Sequence, residues 1–521
     1  MIRTGLGVAI SKFSILPSSV AVALLGRPSP AVPTTAEGGQ FSICNLPARP
    51  LIFYIMSNAP QQFDYDVAVL GGGSGGYAAA RTAAGAGLRT VVIEGGKEVG
   101  GLCILRGCMP TKALLYAGEV RHLAQYGGLW GMKPGDVPFD WSAVMAHKDG
   151  LIKEFADYRT QQLTSGKFQF IRALAHFTDP HTLALDNGQT LTSKNFIIST
   201  GSAVARPPLP QLSGVGYLTS DDALALKKLP KSIIILGGGA VAVEFAQLFA
   251  RFDVEVTLIQ RSEQLLKESD ADAATVIETV FRREGIKVFT NTRLVDAYRD
   301  GSLKAITFLH GDRKTEVKAQ EILFALGRSP NTKSLNLDRA GVTTDTQRVI
   351  ANDWMQTSTP HIYTAGDCTG PHEIVHIAVQ QGETAAHNIA HPGQLRAMDY
   401  RLFISVVFTD PQIATVGLTE KAAKARGIPI VAASYPFNDH GKSLIMEARD
   451  GFVKLLADPK TGEILGGTCV GPAGGELIHE IVAAMAKRMT ARELAAMPHY
   501  HPTLAEIWTY PAEELADRLP G

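Results

Sequence analysis

The sequence predicts an α/β protein in which two doubly wound domains precede a C-terminal α+β domain. From Tyr65 onward, short β-branched runs alternate with glycine turns and alanine-rich helical stretches, which is the pattern of a doubly wound fold. The plan of strand, glycine turn, helix and strand occurs twice, at 66–94 with a helix near 77–86 and again at 233–259 with a helix near 243–252. After about residue 397 alternating strands such as 452–456 precede an alanine-rich helical end, which indicates a separate α+β domain.

The bulk composition narrows the classes of function. The 521 residues are 45% apolar, and Lys plus Arg equals Asp plus Glu at 50 each, so the chain has no basic field to bind nucleic acid or an anionic membrane. The 51 glycines fit a protein with several phosphate-binding turns. Five cysteines with one pair close in sequence suit a reducing compartment and one catalytic pair, not a secreted disulfide scaffold.

The N-terminal extension, residues 1–60, has no acidic residue before Glu37 and resembles a transit peptide in composition. We favour the alternative that translation begins at Met56. The extension's apolar run is too short for a membrane span, and we expect no membrane helix elsewhere. The expected location is therefore the cytoplasm, or an organelle if the extension is a transit peptide.

The first glycine turn has the features of a dinucleotide site. Gly71, Gly73 and Gly76 match GxGxxG, which combines a tight turn, close backbone approach to a pyrophosphate and close helix packing. Ser74 lies inside the turn, and Glu94 ends the next strand, where an acid binds ribose hydroxyls. The context of a preceding strand and a following helix makes a merely structural glycine turn the weaker alternative.

The second glycine turn predicts a second nucleotide site with a different preference. Its fingerprint consists of Gly237, Gly239 and Ala242. Gln260 occupies the offset at which the first unit has Glu94, and Arg261 and Lys267 follow it. A neutral residue there removes the repulsion of a 2′-phosphate, and the cations can bind one, so NADPH is favoured over NADH. The alternative is that Arg261 and Lys267 are ordinary surface charges.

The close cysteine pair, Cys103 and Cys108, lies in the segment GLCILRGCMPTK. Five positions along a regular helix rise about 7.5 Å, more than the roughly 4.4–6.8 Å usual between bridged Cα atoms. We therefore expect the pair on an irregular loop that enters a helix near Pro110, whose N-terminus would lower the pKa of Cys108. A zinc site is disfavoured because the other cysteines form no second cluster, whereas two inert core cysteines remain an alternative.

The ordered set of motifs resembles the flavoprotein disulfide reductases, the family of glutathione reductase, lipoamide dehydrogenase and mercuric reductase. The resemblance extends from residue 64 to 517 and rests on these segments: GGGSGG, CILRGC, STGS (199–202), ALGRSPNT (325–332), YTAGD (363–367), FTDPQIATVGLTE (408–420) and HPTLAE (501–506).

The resemblance implies two Rossmann-like dinucleotide-binding domains and a homodimer built by the C-terminal domain. FAD is expected on the first fingerprint and NAD(P)H on the second. Further cofactor contacts are expected from Thr200, Gly201, Gly327 and, at the ribityl chain of the flavin, Asp367. The implied domains are a FAD-binding domain (61–201), a NAD(P)-binding domain (202–327), a central domain that completes the FAD site (328–396) and a dimerisation domain (397–521).

The resemblance also implies roles for the catalytic residues. Cys108 is the thiolate against the flavin, and Cys103 attacks the substrate disulfide. His501, oriented by Glu506, is the acid and base that serves the cysteines of the other subunit, a role that suits a histidine. Lys112 and Glu244 match the family's ion pair near the flavin ring, with two unrelated surface charges as the alternative.

The positions that are expected to line the substrate pocket favour different substrates. Arg81 matches an arginine with which glutathione reductases bind a peptide carboxylate, whereas Glu383 replaces their second arginine and should repel an anionic peptide. Residues 374–382, with His376, resemble lipoamide dehydrogenases, so we expect lipoyl turnover over glutathione turnover. A mercuric reductase is disfavoured because the chain ends in ADRLPG without cysteines and retains His501. A non-enzymatic flavin-binding partner is the distant alternative.

Overall fold

The computed structural model describes residues 62–519 apart from 134, 136 and 371. The predicted N-terminal extension, with the choice between Met1 and Met56 as the start, lies outside the described residues.

The first domain is built on a sheet in which β3, β2, β1 and β6 run parallel, in that order, and β4 and β5 add an antiparallel ribbon to β6. Its strands are β1 (Tyr65–Leu70), β2 (Thr90–Glu94), β3 (Gln169–Arg172), β4 (Ala175–Asp179), β5 (Thr182–Leu185) and β6 (Thr190–Ile198). Its helices are α1 (Ser74–Gly85), α2 (Gly101–Arg106), α3 (Cys108–Gln125) and α4 (Trp141–Leu163). The run 67–70 is buried throughout, as a parallel strand covered on both faces requires.

The second domain repeats the plan on a parallel sheet of order β10-β9-β8-β14, beside an antiparallel sheet of order β11-β12-β13. Its strands, with the short linking strand before them, are β7 (Ser202–Val204), β8 (Ser232–Leu236), β9 (Glu255–Ile259), β10 (Lys287–Phe289), β11 (Thr292–Asp300), β12 (Leu303–His310), β13 (Arg313–Ala319) and β14 (Glu321–Phe324). The helices are α5 (Gln211–Val215), α6 (Ser220–Ala223), α7 (Ala240–Arg251) and α8 (Ala271–Arg283).

The chain then returns to the first domain. The returning segment contains β15 (Arg328–Pro330), β16 (Thr344–Asp345), β17 (Arg348–Val349), β18 (Ile362–Thr364) and α9 (Val375–Ala390). β15 pairs with β7, and β18 extends the first sheet by pairing in parallel with β6. α9 packs on α1 so closely that a Cβ on Gly382 would lie 2.2 Å from the carbonyl oxygen of Gly75.

The C-terminal domain is an antiparallel sheet of order β19-β20-β23-β22-β21 covered by helices. Its elements are β19 (Ile404–Val407), β20 (Gln412–Gly417), β21 (Val431–Pro436), β22 (Phe452–Ala457), β23 (Ile464–Gly471), α10 (Glu420–Arg426), α11 (Gly441–Ile445), α12 (Gly474–Ala486), α13 (Ala491–Ala495) and α14 (Thr509–Arg518). Trp508, Ile478 and Ile481 are fully buried in its core. None of the helices in the described part of the chain is long and apolar enough to cross a membrane.

The predicted fold class is confirmed, whereas both nucleotide-site helices begin earlier than predicted. α1 begins at Ser74 instead of Tyr77, and α7 begins at Ala240 instead of Val243. The reason is that the last part of each glycine turn already forms the first helical turn, whose free N–H groups are the anion-binding end of the helix. The exact domain boundaries remain predictions.

Candidate active site

The first glycine turn is formed by residues that admit no side chain. Gly71 has φ +107°, and a Cβ there would lie 2.2 Å from the carbonyl oxygen of Ser199. A Cβ on Gly76 would lie 1.9 Å from the carbonyl oxygen of Gly71. Gly73 precedes the first residue of α1, Ser74, and has no neighbour closer than 3.8 Å to a Cβ built on it. This end of α1 therefore offers bare backbone to a phosphate group.

Glu94 lies at the end of β2 and faces the same turn. Its Oε2 accepts a hydrogen bond from the N–H of Gly72 at 2.8 Å, and its Oε1 accepts one from the N–H of Gly96 at 2.6 Å. The carboxylate is thus fixed beside the glycine turn, where the sequence predicted a ribose contact.

The returning segment brings further predicted cofactor residues to this domain. The hydroxyl of Ser202 donates to Asp367 at 2.6 Å and accepts a hydrogen bond from Nε of Arg328 at 2.7 Å. Gly201 has φ +69°. The hydroxyl oxygen of Thr200 is buried without a hydrogen-bond partner in the protein. A buried unsatisfied hydroxyl beside an open glycine turn and two carboxylates fits a large polar ligand such as FAD.

The second glycine turn repeats the geometry of the first. Gly237 has φ +118°, and a Cβ there would lie 2.4 Å from the carbonyl oxygen of Ala325. Gly239 has open space around it, and Ala242 is fully buried in the position that closes the turn. Gly327, on the loop after β14, has φ +116° and open space on its Cβ side. These positions fit a second nucleotide.

The residues predicted to select the nucleotide lie at and after the end of β9. Gln260 is buried and accepts a hydrogen bond from the backbone N–H of Arg261 at 3.0 Å. Arg261 itself is exposed beside it. Lys267 is also exposed and lies 3.4 Å from the carboxylate of Glu268. Gln260 and Arg261 are therefore together, whereas Lys267 already has an acidic neighbour.

The cysteine pair departs from the predicted irregular loop, and that prediction was wrong. Cys103 lies within the short helix α2, and Cys108 is the first residue of α3. Gly107 separates the helices with φ −129° and ψ −111°, and a Cβ there would lie 3.2 Å from Cα of Cys103. The bend at Gly107 turns α2 back against the start of α3, so two helical cysteines face each other although one continuous helix would separate them.

The two thiols are free in this structure, and their pKa values are shifted in opposite directions. A hydrogen bond from Cys103 lowers the pKa of Cys108 to about 7. The charge of Lys112 and the backbone N–H of Cys108 itself also lower this pKa, against the effects of burial and of the Glu244 charge. The hydrogen bond with Cys108, together with burial, raises the pKa of Cys103 above its ordinary value. Cys108 is therefore the thiolate of the pair near neutral pH.

Lys112 and Glu244 form the ion pair that the sequence predicted. Nζ of Lys112 lies 2.8 and 3.0 Å from the two carboxylate oxygens of Glu244, and the Glu244 side chain is only 5% exposed. Glu244 also accepts the backbone N–H of Phe408 at 3.0 Å, and Nζ of Lys112 lies 4.5 Å from the centre of the Phe408 ring. The carboxylate thus fixes a cation next to the redox pair, although sequence reasoning missed the part played by Phe408.

His501 and Glu506 are also joined, as predicted. Nδ1 of His501 lies 2.9 Å from Oε2 of Glu506. The His501 side chain is 78% exposed in the single chain, whereas that of Glu506 is 11% exposed. Sequence reasoning missed a second histidine, the buried His440, whose Nε2 lies 3.3 Å from Oε1 of the same carboxylate.

The two residues that disagreed about the substrate bind each other. Arg81 on α1 and Glu383 on α9 form an ion pair. His376 lies two turns before Glu383 on the same helix. Its Nε2 is buried without a hydrogen-bond partner in the protein, and burial lowers its pKa. Among the described residues no group of three or more His, Cys, Asp or Glu side chains is arranged to hold a metal ion.

Comparison with known proteins places these features in one family. Residues 65–382 match the model of the pyridine nucleotide-disulphide oxidoreductases, and residues 403–512 match the dimerisation domain of the same family, which supports a homodimer.

Curated relatives and solved structures agree with that match. A dihydrolipoyl dehydrogenase of Mycobacterium leprae is 35% identical over 451 residues, 85% of this chain and 96% of the relative. A mercuric reductase of Staphylococcus aureus is 34% identical over 445 residues, 85% of this chain and 81% of the relative. LpdA from Mycobacterium tuberculosis superposes with a TM-score of 0.78 at 28% identity, covering 86% of this chain and 99% of that one. The chain therefore belongs to the pyridine nucleotide-disulphide oxidoreductases and is an FAD-dependent enzyme of that family.

Proposed function

We propose that this enzyme passes electrons between a pyridine nucleotide and a lipoyl-type dithiol or disulfide through FAD and the Cys103–Cys108 pair. The observation that carries the proposal is the pair itself, in which a bend at Gly107 sets a low-pKa Cys108 against Cys103, with Lys112 beside them. FAD, when bound, supplies the two-electron relay between a hydride donor and a disulfide.

The protein groups divide the disulfide chemistry between them. His501 takes the proton of the Cys103 thiol, and the Cys103 sulfur attacks one sulfur of the substrate disulfide, which forms a mixed disulfide and releases the other sulfur as a thiolate. His501 donates the proton that this leaving thiolate takes up. The thiolate of Cys108 then attacks the sulfur of Cys103, which releases the second substrate sulfur as a thiolate and leaves the Cys103–Cys108 disulfide. That thiolate takes its proton from solvent. Oxidation of a dithiol is the same sequence reversed, with His501 as the base.

The Arg81–Glu383 ion pair supports a lipoyl substrate over glutathione. A guanidinium that already binds a carboxylate of the protein is a poor receptor for a peptide carboxylate, and the acid beside it repels the peptide. A dithiolane on an amide-linked chain has no carboxylate to place there. In this proposal the charges of Arg81 and Glu383 therefore neutralise each other, and the two residues add no net charge to the substrate pocket.

The substrate proposal is tested by measuring kcat/KM for lipoamide and oxidised glutathione side by side, with mercuric ion as a third substrate. We expect lipoamide to be preferred. Glu383→Gln should release Arg81 and raise glutathione turnover relative to lipoamide turnover. The control is Glu255→Gln, which removes a more exposed acid from its pair with Lys287. A wild-type preference for glutathione or mercuric ion would contradict the proposal.

We also propose NADPH as the preferred nucleotide. The support is that the end of β9 presents neutral Gln260, held against its own backbone, with exposed Arg261 next to it. A hydrogen bond to a charged group contributes about 1.5–3 kcal/mol, which corresponds to about one to two decades in kcat/KM. Arg261→Ala should lose that preference and Gln260→Glu should reverse it. An unchanged NADPH-to-NADH ratio in both variants would remove the basis for the proposal.

A further inference from the structure

His440 lies behind the His501–Glu506 pair and is completely buried. It follows β21 and precedes α11. Its Nδ1 lies 2.7 Å from the hydroxyl of Ser443, which is also completely buried. Its Nε2 faces Oε1 of Glu506 in a long contact of 3.3 Å and has no other hydrogen-bond partner in the protein. A line of polar groups therefore runs from Ser443 through His440 and Glu506 to the exposed ring of His501.

The contacts of His440 determine its tautomer. An unprotonated Nε2 at 3.3 Å from a carboxylate oxygen would set two acceptors against each other in a buried place, which is costly. Nε2 therefore carries the proton, and Nδ1 accepts the hydrogen bond of the Ser443 hydroxyl. Burial lowers the pKa of His440, so the ring is neutral and donates one hydrogen toward Glu506.

The surroundings leave Glu506 as the charged group that His440 faces. The ring of Tyr510 on α14 meets the imidazole edge-on at 6.3 Å. The carboxylate of Asp439, the preceding residue, accepts the hydroxyl of Tyr435 at 2.9 Å, and that tyrosine stacks on Tyr510 at 3.9 Å. His501 interacts with His440 electrostatically from the far side of the carboxylate.

We propose that His440 is a positioning residue that acts on His501 through Glu506. Its donated hydrogen holds the carboxylate in place and withdraws part of its negative charge. Glu506 thereby orients the His501 ring without binding its protonated form so strongly that the proton is retained. This inference rests on the proposed function, in which His501 gives and takes the proton of the substrate sulfur.

The test compares two substitutions of one residue. His440→Gln places an amide N–H near the position of the imidazole Nε2–H, whereas His440→Met has similar bulk and no donor. In dithiol oxidation, where His501 acts as the base, we expect His440→Met to move the acid limb of kcat/KM to higher pH by about one unit. His440→Gln should restore the wild-type profile. Reduction by NADPH and the long-wavelength thiolate–flavin band should be the same in all three proteins.

The outcomes separate this inference from the proposed function. If wild-type protein turns over no dithiol, the proposed function fails, and the inference is decided by the NMR titration of the His501 ring in the three proteins. The same midpoint for wild type and His440→Met, or equal shifts in both variants, would overturn the role of His440. If His440→Met does not fold, Ser443→Ala, which removes the partner of Nδ1, should move the acid limb in the same direction. An unchanged profile in Ser443→Ala would then count against the inference.

Discussion

Replacing Lys112 with methionine removes the cation beside the redox pair, and replacing Glu244 with glutamine removes the anion that holds it. The charge of Lys112 lowers the pKa of Cys108, and the charge of Glu244 raises it. The two substitutions should therefore shift the same titration in opposite directions. Glu244→Gln retains an oxygen that can accept the N–H of Phe408, so this contact between domains is preserved.

The expected size of each shift follows from the geometry. An opposite charge within about 4–6 Å lowers a pKa by about 1–3 units. The Lys112 side chain is 32% exposed, so solvent screens part of its charge, and we expect Lys112→Met to raise the pKa of Cys108 by about one unit. Glu244→Gln should lower it by up to about one unit. Because the thiolate is the form above the pKa, its population extends to lower pH only in Glu244→Gln.

The assay is the long-wavelength absorbance of the enzyme reduced anaerobically with one equivalent of NADPH, measured between pH 5 and 9. In wild type the band should disappear as the pH falls through about 7, the pKa of Cys108. Lys287→Met is a suitable control, because it removes an exposed lysine from its pair with Glu255. The same midpoint for both active-site variants and wild type would refute the electrostatic reasoning.

Three further predictions concern the pair, the dimer and the helix packing. Cys103→Ser should keep the long-wavelength band and lose turnover, whereas Cys108→Ser should lose both. Identical spectra for the two variants would contradict the roles assigned to the two cysteines. Mixing inactive Cys103→Ser protein with inactive His501→Ala protein should restore activity as heterodimers form, and failure after verified subunit exchange would argue against a shared site. Gly382→Ala should destabilise the protein by about 1–3 kcal/mol and weaken FAD binding, because the added Cβ would lie 2.2 Å from the carbonyl oxygen of Gly75. Thermal unfolding with and without FAD measures both effects.

The sequence was most informative where local geometry alone demands a residue type. Gly71 and Gly237 need positive φ and have backbone carbonyls against the Cβ position, so only glycine fits there. The sequence could therefore identify both turns as nucleotide sites. The family motifs identified the Lys112–Glu244 and His501–Glu506 pairs. The bend at Gly107 was foreseeable in part, since the helix rise excluded one continuous helix, but the spacing could not tell a loop from two short helices.

Contacts between distant segments could not be read from the sequence. Arg81 and Glu383 each gave a local signal, yet only the packing of α9 on α1 shows that they neutralise each other. His440 belongs to no motif that marks it as functional, and its position behind Glu506 depends on how α11 meets the chain after α13. Such pairings are decided by tertiary packing, which a single sequence records only indirectly.

The same dependence on packing explains how the nucleotide domain is held against the redox pair. Glu244, Gln247 and Arg251 lie on one face of α7, and all three bind the segment 408–410 of the C-terminal domain. Gln247 exchanges two hydrogen bonds with the backbone of Asp410, at 2.7 and 2.8 Å, and Arg251 binds the Asp410 carboxylate at 2.7 Å. Glu244, at the other end of the row, orients Lys112. The helix that begins at the second glycine turn thus also positions the cation that, after the hydrogen bond from Cys103, helps to lower the pKa of Cys108. One helix therefore contacts both the predicted nucleotide turn and the surroundings of the cysteine pair.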